Sequence, residues 1–179
     1  MQKKLLFSQE LLQITISRLC QQLAENHEDF TNVVLIGLQP RGIYFAQRIH
    51  QRIIELFGCD LPIGNLDITF YRDDFGRREN PLKANSTKIP FVIEGKNVIL
   101  IDDVLFTGRS INAALNAMTA FGRPKNVELL TLVDRKYNRD VPIEPKYVGQ
   151  TVNSIQSQRV LVEWKEQGLA EDNIWLVSE

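Results

Sequence analysis

Only two cysteines occur in this sequence, Cys20 and Cys59, and they stand far apart in no CxxC or Cys/His spacing. That argues against a disulfide framework or a thiolate zinc site and makes a reducing cytoplasm the expected setting. Nor is there an excess of either charge. Lys and Arg number 21 against 22 Asp and Glu, so the net charge is −1 and no global basic field draws the chain to nucleic acid. Any such contact would need a local patch. No hydrophobic run approaches the length of a membrane span, and the apolar stretch within MQKKLLFSQELLQ is too short for a signal peptide. A GxxxxGKS/T phosphate loop, internal repeats and low-complexity tracts are all missing. What is present is 179 residues, 44% hydrophobic and 24% charged, which fits a single globular domain with a substantial core.

The apolar residues fall into an alternating order of elements. Leu12, Ile16, Leu19 and Leu23 recur at spacings of four and three, which predicts a helix over about 9–25. VVLIGL (33–38) is a β-branched run suited to a strand buried on both faces. GIYFAQRIHQRIIELFG (42–58) places Phe45, Ile49, Ile53 and Leu56 on one side of a helix, with Gly58 as its stop. In NLDITFY (65–71) apolar and polar residues alternate, which predicts a strand with one covered face. Residues 72–88 are polar, lack a period and contain Gly76 and Pro81, so they form a long loop. A buried strand at 98–101 follows, then a helix headed by Ile111, Leu115 and Met118 that stops near FGRP (121–124), then a strand at 127–133. This alternation predicts an α/β fold: a parallel sheet with right-handed crossovers and helices on both faces. The proline-broken segment 141–153 and the short strands RVLVEW and NIWLV are expected to form a small cap, approximately 136–179.

One stretch departs from this plain patterning. VILIDDVLFTGRS (98–110) runs from buried aliphatics into two adjacent carboxylates, Asp102 and Asp103, and then into a Thr-Gly-Arg-Ser turn that opens a helix. Ligands of an open parallel sheet bind beyond the carboxyl ends of its strands, so the acids can face a polar ligand instead of protein. Carboxylates accept hydrogen bonds from vicinal hydroxyls and suit Mg²⁺. A helix amino terminus built of small residues offers unpaired N–H groups and a favourable dipole to a phosphate. Either half alone reads as a solvated strand end or a capped helix. Together they suit a ribose 5-phosphate.

These thirteen residues resemble the phosphoribosyl-pyrophosphate (PRPP) motif of the type I phosphoribosyltransferases. The resemblance implies that Asp102 and Asp103 hold the ribose hydroxyls, and that Val104, Leu105, Phe106, Thr107, Gly108, Arg109 and Ser110 wrap the 5-phosphate. IGLQPRG (36–42) is similar to the family's pyrophosphate loop, which implies contacts from Gln39, Pro40, Arg41 and Gly42, with Arg41 adding a cation. Pro40 removes an N–H from that loop and makes a cis Gln39–Pro40 bond accessible.

Across nearly the whole chain, LDITFYRDD (66–74), RGIYFAQRI (41–49), FGRP, LVDR (132–135) and PIEPKYVG (142–149) resemble the PyrR family of pyrimidine operon regulators that are also uracil phosphoribosyltransferases. The likeness implies a type I phosphoribosyltransferase fold, with the 136–179 cap as the hood over the base and residues 72–88, led by Tyr71, Arg72, Asp73 and Asp74, as a mobile loop. It further implies that Arg135 and Val160 line the nucleotide pocket, that Mg²⁺ is carried mainly through PRPP, and that the chain forms a homodimer or higher homo-oligomer. The implied reaction turns uracil and PRPP into UMP and pyrophosphate. Phe106 fills the slot where some purine members carry an acidic base, so no general base is named. Regulatory relatives hold a messenger RNA leader; Ser17 and Arg18 fit that pattern, whereas Gln21 and NSIQSQ (153–158) put neutral residues at other contact positions. Neutral residues weaken the phosphate contacts that dominate RNA affinity. Arg48, Arg52, Arg139 and Lys146 are candidates for a compensating patch. An enzyme making UMP and a nucleotide-sensing RNA regulator therefore both remain open.

Overall fold

The computed structural model describes residues 2–74, 84–155 and 157–178. Most of the expected 72–88 loop, residues 75–83, lies outside them, as does Gln156. In chain order the elements are β1 (Gln2–Phe7), α1 (Gln9–His27), β2 (Val33–Leu38), α2 (Gly42–Phe57), β3 (Ile63–Leu66), β4 (Asn97–Leu105), α3 (Arg109–Met118), β5 (Asn126–Lys136), β6 (Tyr147–Asn153), β7 (Gln158–Glu163) and β8 (Asn173–Ser178). Five strands form a parallel sheet in the order β3-β2-β4-β5-β6, and β1-β8-β7 form a separate antiparallel sheet.

The helices cover the parallel sheet as the sequence predicts. Leu12, Ile16, Leu19 and Leu23 of α1 and Phe45, Ile49 and Ile53 of α2 pack on one face with Leu35, Ile99, Ile101 and Leu132. The alternate residues Val34, Ile36, Val98 and Leu100 meet α3 through Ile111, Ala114, Ala117 and Met118 on the other. α1 opens on Ser8, whose hydroxyl accepts from the Leu11 N–H, and α2 closes on Gly58 in the left-handed region (φ 67°). The β2–α2–β3 crossover runs one way from the sheet centre and β4–α3–β5 the other, so the strand order reverses between β2 and β4. The carboxyl ends of those two strands open a crevice there.

Several expectations are corrected. The strand foreseen at 65–71 stops at Leu66 because the buried Asp67 carboxylate accepts from the Thr69 N–H (3.3 Å) and hydroxyl (2.9 Å), turning the chain into a short 3₁₀ helix, Thr69–Tyr71. Leu66 and Ile68 are buried as the alternation predicts, but so are Asp67 and Thr69, and Phe70 is 67% exposed, so the covered face does not extend beyond Ile68. β4 does not end before the acid pair. Its pairing with β2 stops at Ile101, but β5 continues alongside it to Leu105. The cap does not begin at 136: Lys136 ends β5, and 147–153 is the edge strand β6 of the parallel sheet. The small antiparallel sheet instead draws its third strand, β1, from the amino-terminal segment, where Lys3 pairs with Val177.

This second sheet is fastened to α2. Trp164, fully buried, stacks on Phe45 at 6.2 Å between ring centroids. The Arg48 guanidinium lies 4.4 Å over the Trp164 ring and donates to the carboxylates of Asp172 (2.8 Å) and Glu166 (3.0 Å). At its amino terminus α2 presses on β4 through Gly42, where a Cβ would lie 2.7 Å from the Ile101 carbonyl oxygen and 3.0 Å from the Asp102 Cα. Those are backbone atoms that cannot swing aside. Gly42→Ala is therefore expected to lower unfolding free energy by about 1–3 kcal/mol in urea titration, and an unchanged midpoint would show that the helix can slide outward.

Candidate active site

Two lobes meet in the crevice. One, about 420 Å³, is lined by 104–111 together with Arg72, Asp73, Asp74 and Asp102. The other, about 360 Å³, is lined by Gln39, Pro40, Arg41, Asp67, Thr69 and the acid pair, among others. Arg72, Asp102, Val104 and Ser110 belong to both, so the lobes form one continuous cleft.

Asp102 and Asp103 stand at its centre because β2 has already turned away beside them. Asp103 is buried and Asp102 half-buried. Each carboxylate accepts from the next backbone N–H: Asp102 from Asp103 (2.9 Å), Asp103 from Val104 (2.8 Å). Burial pushes the carboxyl of Asp102 well above the usual range; the neighbouring Asp103 charge adds to that shift and the Arg72 cation opposes it. Burial likewise raises Asp103, against the lowering influence of Arg41. Among the described residues no group of three or more His, Cys, Asp or Glu could hold a metal by itself. Two adjacent carboxylates do fit a Mg²⁺ that takes its other oxygens from water and a substrate.

The loop after β4 turns at Gly108 (φ 86°), a left-handed conformation that a side chain strains, and α3 begins at Arg109. The Thr107 hydroxyl accepts from the Arg109 N–H (3.4 Å), and Asn112 N–H closes the first turn on the Gly108 carbonyl (3.0 Å). Two cations stand over this loop, each held by an acid. Arg72 makes a two-pronged contact with Asp74 (2.8 and 2.9 Å) and donates to the Ser110 hydroxyl (3.3 Å). Arg109 bridges Asp140 (2.8 Å) and Asp73. On the other wall the Gln39 N–H donates to the Leu66 carbonyl (2.9 Å), the Gln39–Pro40 bond is cis, and Arg41 stands exposed where α2 begins.

A family model described as a phosphoribosyl transferase domain matches residues 4–167. The Bifunctional protein PyrR of Elusimicrobium minutum is 41% identical over 175 residues, covering 98% of this chain and 97% of that one. That of Enterococcus faecalis strain OG1RF is 40% identical over 93% of each chain. The chain belongs to the PyrR family of phosphoribosyltransferases. Solved structures similar to this PyrR family member include a hypoxanthine-guanine phosphoribosyltransferase of Bacillus anthracis (TM-score 0.73, 22% identity, 99% of each chain). Another is the hypoxanthine phosphoribosyltransferase of Trypanosoma cruzi (TM-score 0.74, 16% identity, 98% of this chain and 96% of that one). At such identities the likeness shows the fold.

The fold brings together most of the residues singled out in the sequence: Asp102 to Ser110, Gln39 to Arg41 and Arg72 to Asp74 all border the cleft, Gly42 lies against Asp102, and Tyr71 is exposed at the base of the loop. The remainder stand elsewhere. Arg135 is only 5% exposed; its guanidinium lies 3.8 Å over the Phe106 ring and donates to the Ser154 hydroxyl (2.8 Å) and the Gln158 carbonyl (2.6 Å). Val160 packs half-buried against the α1–α2 core from β7 and lines neither lobe. The Ser17 hydroxyl donates to the Gln13 carbonyl within α1 (2.9 Å), and Arg18 donates to the Val148 and Gly149 carbonyls of the edge strand β6 (3.3 and 2.6 Å). The other basic candidates are paired as well: Arg48 with Asp172, Arg52 with Glu55, Arg139 with Asp134 and Lys146 with Glu128. Asp67 joins the cleft unannounced, and Asp140 holds Arg109 from outside its lining. The one signal for Asp67 was an acid inside an otherwise strand-like run.

The acid pair makes a stability prediction. With the folded pKa of Asp102 above its ordinary 3.8, the native state keeps a proton that the unfolded chain has released, so stability falls as pH rises from about 4 toward neutrality. Asp102→Asn removes that burden and relieves Asp103. It should raise unfolding free energy at pH 7.5 by on the order of 1 kcal/mol, and the gain should shrink toward pH 4 in a urea–pH series.

Proposed function

We propose that the chain transfers the ribosyl group of PRPP to uracil, giving UMP and pyrophosphate. One observation carries the reading: a pair of carboxylates suited to a vicinal diol and a helix amino terminus suited to a phosphate share a cleft, at a separation fixed by five residues of chain. In this reading Asp102 and Asp103 accept the ribose hydroxyls. The amides and hydroxyls of Val104 to Ser110 take the 5-phosphate, and the 39–42 loop with Arg41 takes the pyrophosphate. The C1′–oxygen bond to pyrophosphate breaks, its electron pair leaving on the pyrophosphate oxygen. Uracil N1 then bonds to C1′ and its proton goes to solvent. Positive charge develops on the ribose meanwhile, so the chain's contribution is to fix the sugar and stabilise the leaving anion. Mg²⁺, as in phosphoribosyltransferases generally, supplies charge neutralisation on the pyrophosphate when bound through PRPP. Residues 72–88 exclude water from a centre that water would otherwise hydrolyse. Arg135 borders the base end through the Phe106 ring it covers, with Val160 set back from the cleft, and the protein acts in the cytoplasm as a homodimer or larger homo-oligomer.

The choice of uracil rests on the likeness to the PyrR relatives. It is tested by following pyrophosphate release from PRPP with one base at a time. Uracil should react, and Asp102→Asn with Asp103→Asn should lose about 100-fold or more in kcat/KM. Turnover of hypoxanthine in place of uracil would overturn the assignment.

The relatives' name, Bifunctional protein PyrR, supports a second activity, and the family suggests a pyrimidine leader RNA as its target. Arg48, Arg52, Arg139 and Lys146 are each paired with an acid, so these four form no ready patch for phosphate contacts. RNA binding should accordingly be weak. Titration of a leader hairpin with and without UMP should lose affinity steeply with salt if RNA is bound at all, and no salt-sensitive binding would leave the enzyme reading alone.

A further inference from the structure

The segment after β5 forms a wall behind the phosphate loop. Arg139 places its guanidinium among four acceptors. Nη1 donates to the carbonyls of Phe106 and Arg135 (3.1 Å to the latter), Nε to the Ile143 carbonyl (3.0 Å), and Nη2 to the carboxylate of Asp134, which is itself buried. The backbone continues the same work: the N–H groups of Asp140 and Val141 both donate to the Thr107 carbonyl (2.9 and 3.3 Å). Val141 also lies so close to Gly108 that a Cβ there would sit 2.7 Å from its Cγ2. None of Arg139, Asp140 and Val141 lines the 104–111 lobe. The carbonyls of residues 106 and 107 are thus tied back, on the side away from the cleft.

A trans peptide points its C=O and the following N–H in opposite directions. Holding the Phe106 and Thr107 carbonyls on the Arg139 side therefore turns the N–H groups of Thr107 and Gly108 toward the lobe where α3 begins. We propose that Arg139 is a positioning residue, which aims the phosphate-loop amides and so sets affinity for the phosphate of PRPP without touching substrate. This rests on the transferase reading above. It also explains why Arg139 adds nothing to a basic surface, since four of the five guanidinium hydrogens already have acceptors.

The test uses the full chain with Arg139→Ala and Arg139→Lys, reading KM for PRPP and for uracil, PRPP binding by calorimetry, and urea unfolding. Arg139→Ala should raise the PRPP KM and Kd by about 10-fold or more, as loss of a buttressing group commonly does, while the uracil KM moves little. Millimolar guanidinium should restore part of the loss. If Arg139→Ala does not fold, Arg139→Lys carries the same expectation, because an ammonium can pair with Asp134 but cannot reach three carbonyls at once. Wild-type PRPP affinity in a folded variant would overturn the proposal, as would equal rises in both KM values with no response to guanidinium. A wild-type chain that takes no PRPP would instead sink the transferase reading, and this role with it.

Discussion

Two like charges on adjacent residues of a buried strand are the constraint around which the rest of the molecule is arranged. Asp102 and Asp103 extend from four aliphatic residues that are fully buried, and burial disfavours their ionised forms. They are tolerated there because β2 ends alongside Ile101 and leaves one side of β4 unpaired. Gly42 lets α2 start immediately beside that gap, which brings Arg41 into range of Asp103. Arg72 plays the same part for Asp102 from the opposite wall. The geometry of the sheet and the electrostatics of the cleft are thus one problem with one solution. Strain of this kind is commonly concentrated where a fold keeps a functional cleft.

Around the cleft, most cations already have acids. Arg72 and Arg109 each grip a carboxylate from the Asp73-Asp74 pair, and Arg109 reaches Asp140 as well. These are half-exposed pairs, individually weak. Their consequence is for orientation more than stability: they fix the base of the 72–88 segment against the start of α3. The Arg48 cluster differs. It is stacked on a buried tryptophan and joins α2 to the small sheet, so the first half of the helix beside the acid pair is packed at Gly42 and tethered again at Arg48.

Much of this was legible from the residues. VVLIGL and VILI announce central strands because only a parallel sheet buries such runs on both faces, and the stripes of α1 and α2 follow from helical spacing. The Asp-Asp and Thr-Gly-Arg-Ser pieces point to the site because each needs a partner that the other's ligand supplies. What the pattern concealed was long-range. Asp67 and Thr69 outcompeted a ladder by hydrogen bonding to each other, which alternation cannot register. β6 follows two prolines, Pro142 and Pro145, and looks peripheral until its pairing with β5 is seen. β1 carries two lysines and no strand signature, because its partner is at the far end of the chain. Arg139 read as a surface cation, since nothing local reveals that one of its acceptors, the Phe106 carbonyl, lies in the phosphate loop.

That pairing of β1 with β8 bears on how the molecule comes together. Most pairs of the parallel sheet, β2–β3, β4–β5 and β5–β6, join consecutive strands, and even β2–β4 spans far less chain than β1–β8. Lys3 must wait for Val177. Closing so long a loop is entropically costly and kinetically slow, so β1 is expected to dock late onto the local β7–β8 pair. The cleft's platform thus stands before its three-stranded neighbour is complete.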